Sequence, residues 1–259
     1  MTAFNISLPQ LQTFFLIFLR VGAITLTVPV FDSKNIPLFL KAGLAFAISI
    51  LLFPILDLEN SLFTTEAIPF VIGVIGEILV GIIIGLSVRL IFAGVQLAGQ
   101  VAGFQMGFAI ANIMDPVESS QVPVIAALKN ILAMLIFLAV NAHHWFLRSL
   151  VDSFQLMPPF GFHFTDSLMS GLVRLGGNMF VIAIKVGAPV IAVMLLTSVA
   201  FGLVARTVPQ MHIFIVAIPI KILIGLLFLG FSLPFLSIFL RQIFNGLGSD
   251  ILFLLRAMS

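Results

Sequence analysis

Apolar residues occur along this chain in long blocks, with neither the alternation of a half-buried strand nor the three-to-four spacing of a helix that has one wet face. The blocks lie near 10–31, 37–57, 67–90, 93–112, 123–147, 176–205 and 211–241, and a shorter apolar tail covers 242–257. Most are close to, or above, the roughly 20 residues that carry a helix across a bilayer. The pattern predicts an all-α membrane protein built of kinked helical hairpins. Pro37, Pro69, Pro123 and Pro209 fall near predicted helix starts, where a missing N–H costs little, whereas Pro189, Pro219 and Pro234 fall inside blocks and should bend them. The stretch 157–161, with two adjacent prolines and a glycine and followed by His163 and Asp166, reads as the longest loop. It separates front helices, 1–175, from a C-terminal helical hairpin and tail, 176–259, within a single integral membrane domain spanning 1–259.

Composition removes whole classes of alternative. The residues are 61% apolar and 8% charged, against about 25% charged in a soluble domain, so a water-soluble globule is excluded. At roughly 20 residues and a connection per crossing, the length has room for about six to eight spans. Cysteine is absent, which removes disulfides, thiolate nucleophiles and thiolate metal sites together. The 12 basic residues are scattered singly against 10 acids, leaving no basic run to hold phosphates, and nucleic acid is not an expected partner. Arg20, the first basic residue, follows the first apolar block, so the positive leading region of a signal peptide is missing and the first segment is expected to stay attached.

Loop charge suggests an orientation. The 57–66 connection carries Asp57, Glu59 and Glu66 without a base, while Arg206 stands in the turn of the last hairpin, which places the first outside and the second inside. Both placements hold only if 93–112 dips into the membrane and returns instead of crossing. No formal charge lies between Arg89 and Asp115, yet Gln96, Gln100, Gln105 and Asn112 make this stretch a poor lipid-facing helix. Gly99, Gly103 and Gly107 recur every fourth position, a small-residue stripe on which another helix can approach closely. The same glycines and amides also suit backbone that bends beside a water-accessible or protein-filled cavity. From the residues alone both readings stand.

Charges inside apolar blocks raise a second question. Glu77 sits between two long apolar runs, and Arg20, Lys41, Lys129, Lys185 and Lys221 lie within or at the edges of others. A charge at mid-membrane costs about 2.5–3.5 kcal/mol on insertion scales. Contact with protein would relieve that cost, which points to a multi-subunit assembly with Glu77, Lys185 and Lys221 at subunit interfaces. The competing class is an ion-coupled small-solute transporter in which Glu77 relays protons or ions. A relay needs a succession of acids or histidines, and only Asp115 and Glu118, flanking Pro116, come near. Inverted repeats, which would favour a carrier, are not visible. The adjacent His143 and His144 should point about 100° apart on a helix, unlike a metal-sharing i, i+4 pair, and beside Trp145 they suit an interfacial helix end. H-E-x-x-H, G-x-S-x-G, P-loop and dinucleotide motifs are all missing. Neither enzymatic activity nor a cofactor or metal is expected.

The stretch Gly103-Phe-Gln-Met-Gly-Phe-Ala-Ile-Ala-Asn-Ile-Met-Asp-Pro116, then Pro123, then Asn141-Ala-His-His-Trp145 and the run from Ser149 to Phe154, resembles the FliR family of the flagellar type III export gate and its injectisome relatives, the SctT proteins. Lys185-Val-Gly-Ala-Pro189, Arg206-Thr-Val-Pro-Gln210 and Ile218-Pro-Ile-Lys221 resemble the two-helix gate subunit FliQ, as though it were fused behind a FliP-like front part. Ala142 stands where that family often has glycine, a change between small residues.

The resemblance covers essentially the whole chain. It implies a structural and gating subunit that assembles with FliP and FliQ, beside FlhB and FlhA, in the flagellar basal body of the bacterial inner membrane, and passes unfolded flagellar export substrates. It also implies that 106–122 plugs the pore. A closure that unfolded chains displace but ions do not cross should be apolar and adaptable. Met106, Phe108, Ile110, Ile113 and Met114 supply soft apolar bulk there, and Gly103 and Gly107 supply bending freedom. On composition alone the same five apolar residues also suit an ordinary packed helix.

Overall fold

The computed structural model describes residues 7–30, 36–56, 66–108, 123–207 and 213–258. Seven helices run through them: α1 (Leu8–Thr27), α2 (Leu38–Leu52), α3 (Ala67–Met106), α4 (Val124–Ala139), α5 (Ala142–Leu156), α6 (Asp166–Thr207) and α7 (Ile213–Met258). No strand occurs among the described residues. The protein is an all-α membrane protein.

Local chemistry sets several helix ends. Before α1, the Ser7 N–H donates to Gln10 Oε1 at 3.0 Å, satisfying a donor that the helix start would otherwise orphan. Pro37 and Pro123 directly precede α2 and α4, where an extended residue launches the first turn. The expected loop is present, since the backbone leaves helical geometry between Leu156 and Asp166. Asp166 then opens α6, where a carboxylate meets the positive end of the helix dipole.

Three helices are far longer than the apolar blocks imply. α3, α6 and α7 have 40, 42 and 46 residues, or about 60–70 Å at 1.5 Å per residue. A hydrocarbon core is about 30 Å thick, so none of the three fits in it upright. Among the described residues four helices are long and apolar enough to cross a membrane, or five if α4 and α5 count as one broken span, against the six to eight that length alone allows. The predicted helices 67–90 and 93–112 are one helix from Ala67 to Met106, so 93–106 does not dip and return as a separate element, and 109–112 lie outside the described residues. The hydropathy dip there reflects Arg89, and arginine is a good helix former. Conversely, the block 123–147 is broken in two at Val140–Asn141. Asn141 adopts a left-handed φ of 57°, a conformation its short polar side chain tolerates better than most. Pro189, Pro219 and Pro234 lie inside α6 and α7, which continue past them.

The chain forms two compact units, each assembled from separated stretches. One comprises 1–90, 141–175 and 245–259, and the other 91–140 and 176–244. In the first, α1 meets α2 through edge-to-face contacts of Phe14 and Phe18 with Phe46. It approaches α3 so closely that a methyl group at Gly81 would lie 2.8 Å from the Arg20 carbonyl oxygen. The chain end is tied down as well, since His163 N–H donates to the Met258 carbonyl at 2.9 Å. In the second unit Phe92, Phe137 and Phe244 form a triangle with centroids 5.2–5.8 Å apart.

Candidate functional site

Two places in the molecule combine unusual chemistry with complete burial. In the first unit the guanidinium of Arg20, on α1, has no exposure at all, and Glu77 on α3 has 2%. Arg20 Nε and Nη2 donate to the two oxygens of Glu77, the latter at 2.9 Å. Nη1 donates to the Ser153 carbonyl at 2.9 Å and to Ser153 Oγ at 3.2 Å, and Nη2 also reaches the Met157 carbonyl at 3.0 Å. These contacts account for all five N–H donors of the group. Phe154 closes one face, its ring centroid 4.1 Å from Cζ. Ser153 and Met157 belong to the C-terminal turn of α5 and its cap, whose outward carbonyls and dipole favour a cation. The bidentate pair therefore joins α1, α3 and α5 of this unit, and both charges are satisfied within the chain.

Glu77 accordingly does not serve as an exposed subunit contact. Its two oxygens are held by Arg20, a neighbour absent from its own stretch of sequence and supplied by the crossing of α1. The same arrangement removes the motive for the carrier reading, because a carboxylate clamped by a guanidinium with no free donor is poorly suited to exchange ions.

The second place is the end of α3. Gly107 N–H donates to the Phe104 carbonyl and Phe108 N–H to the Gly103 carbonyl, both at 3.1 Å, with Gly107 at a φ of 95°. This is the Schellman termination of a helix, in which the residue after the cap turns left-handed and glycine adopts the turn at least cost. Gly107 is thus a defined stop. Met106, the last helical residue, is fully buried in a cluster with Ala102, Ile125, Val190, Met194 and Leu229, against which Phe108 packs. Its side chain lies against Gly225 of α7, where an added methyl would sit 2.6 Å from both Cγ and Cε of Met106. Ile110, Ile113 and Met114 lie outside the described residues.

The glycine stripe divides into three different roles. At Gly99 a methyl would lie 2.5 Å from the Ala126 Cα, so α3 and α4 touch backbone to backbone there. At Gly103 the nearest atom is the Ile125 Cβ at 3.6 Å, an ordinary contact. Gly107 ends the helix. Gln96, Gln100 and Gln105 are half-buried, and Gln105 Oε1 has no hydrogen-bond partner among the described residues.

The remaining cations differ from one another. Lys129 is buried, and its Nζ donates to the Val186 carbonyl at 3.2 Å. Lys185 is exposed and stands 5.5 Å from the Phe239 ring centroid. Lys221 is half-buried, with no hydrogen bond or ion pair among the described residues. The rings of His143 and His144 lie 4.2 Å apart, closer than adjacent helical positions suggest. No three potential metal ligands gather among the described residues.

Sequence reasoning gave Ser153 and Met157 no role at Arg20, because carbonyl acceptors leave no trace in residue type, and named Phe154 only within the run from Ser149 that carries the resemblance. It also overlooked Gly81 and Gly85, whose four-residue spacing was available as a signal, and Gly225, which stands alone.

Comparison with known proteins finds chains similar to this one over most of its length. The profile of the family described as "Bacterial export proteins, family 1" matches residues 11–247. The flagellar biosynthetic protein FliR of Bacillus subtilis is 36% identical over 239 residues, covering 90% of each chain. FliR of Pectobacterium carotovorum is 34% identical over 90% of this chain and 88% of its own. FliR of Escherichia coli is 30% identical over 92% and 90%.

Proposed function

This chain belongs to the FliR family, as a membrane component of the flagellar export apparatus, and from that premise we propose that it is a structural and gating subunit of the export pore. In this reading it assembles with FliP and FliQ, beside FlhB and FlhA, in the bacterial inner membrane at the flagellar basal body. It acts by position and displacement, without catalysis. The segment 106–122 plugs the channel until an unfolded substrate passes.

The observation that carries this reading is the end of α3. A 40-residue helix stops at a glycine turn in the first residues of 106–122, the stretch that the family resemblance assigns to the plug, and the side chain of Met106 at that stop is buried. A closure that must seal repeatedly needs a fixed base, and this arrangement supplies one. Large apolar side chains such as Leu196, Leu223 and Phe231 stand exposed on α6 and α7, surfaces suited to lipid or to neighbouring subunits. Lys185 and Lys221 are proposed to face such neighbours, Lys221 with the better case because nothing described in the chain pairs it.

Deletion of 107–114 tests the reading. The expected result is a complex that still copurifies with FliP and FliQ but lets small ions leak across the inner membrane. An assembled deletion variant with background conductance would remove the plug assignment.

A further inference from the structure

We propose that Gly225 is a positioning residue for closure: it forms the seat of Met106, and this apolar contact holds the end of α3 in place in both the closed and the conducting pore. The inference rests on the plug reading above and extends it to α7, about which the family resemblance says nothing at this position.

The geometry is specific. Met106 is the last residue of α3 and is fully buried, so its side chain cannot move aside without displacing Ala102, Ile125, Val190, Met194 or Leu229. A methyl at Gly225 would lie 2.6 Å from Cγ and Cε and 2.9 Å from Sδ of Met106, so three successive atoms of the side chain lie along the bare backbone of α7. Any larger residue at 225 must therefore push the whole side chain, which its surroundings resist. Directly beyond Met106 the chain is turned by Gly107 at a φ of 95° and pinned by the Phe108 N–H bond to Gly103. A displacement at Met106 is thus transmitted to the point where the following segment leaves the helix. Methionine suits such a seat because its unbranched thioether conforms to a smooth surface. Full burial in a close-packed cluster argues for an anchor that stays seated during transport.

Two experiments test this in the assembled complex. The first uses Gly225→Val. The expected result is a complex that assembles and leaks ions several-fold above wild type, with the leak reduced when Met106→Ala is added to restore the volume. An assembled, ion-tight Gly225→Val complex, or a leak that Met106→Ala does not reduce, would overturn the proposal. If Gly225→Val abolishes assembly, the milder Gly225→Ala with the same second-site change is read in its place.

The second experiment uses the absence of native cysteine. A Met106→Cys/Gly225→Cys variant should form an intrachain disulfide on oxidation, and the oxidised complex should export substrate and remain ion-tight. Failure to form the bond would refute the seat. A bond that blocks export until reduced would show that Met106 must leave Gly225, which refutes the anchor. If the disulfide forms while the 107–114 deletion does not leak, the seat stands and the plug reading falls, so the two failures are distinguishable.

Discussion

The two compact units are held by opposite means. In the first, α1, α3 and α5 converge on a guanidinium whose every donor is used, against a carboxylate, two helix-end carbonyls and the Ser153 hydroxyl. In the second, α3 and α4 meet at the bare Gly99 and Met106 lies on the bare Gly225, while the buried Lys129 has one carbonyl partner. A charge knot is directional, so it fixes which helices meet and in what register. Its failure is abrupt, because losing one member strands the others in a medium without water. Close packing is non-directional and graded, so its failure scales with the volume added or removed. The unit that bears the proposed closure uses the second means at the end of α3, where tightness against ions depends on shape.

The sharpest way to break this contrast is at Glu77. Glu77→Leu leaves Arg20 buried without its carboxylate, and removing one partner of a buried pair costs about 3–5 kcal/mol. Thermal unfolding of the purified complex should show a large loss of stability, with reduced yield. The double variant Arg20→Met/Glu77→Leu should recover a substantial part of it, because two apolar groups leave no orphan charge. Equal damage in the single and double variants would mean that the two side chains are not coupled.

A smaller effect is expected from overpacking in the second unit. Gly99→Leu forces apart backbones that touch at Ala126 and should cost at least the ~1–3 kcal/mol typical of overpacked cores. Gly103→Ala, where the nearest atom is 3.6 Å away, should lie within about 0.5 kcal/mol of wild type. Complex yield and melting temperature, measured side by side, separate these positions. Similar losses at both would show that the stripe acts as one surface.

The smallest change is expected at Lys129. Lys129→Met keeps the length of the stem and removes a buried charge with a single hydrogen bond, so the loss of about 1.5–3 kcal/mol from that charged bond should be largely offset by the relieved desolvation. Stability should change by no more than about 1 kcal/mol, in contrast to Glu77. A loss as large as that of Glu77→Leu would mean that the second unit, too, depends on a charge.

Much of this molecule was legible along the chain. Apolar blocks bounded by proline and loop residues dictate helices in a membrane, because unpaired backbone groups cannot be tolerated in lipid. The run from Gly103 to Pro116 carried the family, while the spacing of Gly99, Gly103 and Gly107 left packing and cavity open, and only the structure shows that Gly99 touches backbone and Gly103 does not. Helix length was not legible. Arg89 lowers hydropathy without breaking a helix, so one helix of 40 residues resembles two shorter ones, whereas Asn141 breaks a helix without lowering hydropathy enough to mark it. Nor could the sequence decide what satisfies a charge. Arg20 and Glu77 are 57 positions apart and Ser153 lies 133 beyond Arg20, so only the crossing of three helices brings them together, and two of the acceptors are backbone carbonyls that any residue would present. The same holds for Gly225, whose role is the side chain it admits. Periodicity and composition report what each residue requires of its surroundings, namely lipid, burial or a partner, while tertiary structure alone decides which atoms meet that requirement, because partners are fixed by distance in space and not by separation along the chain.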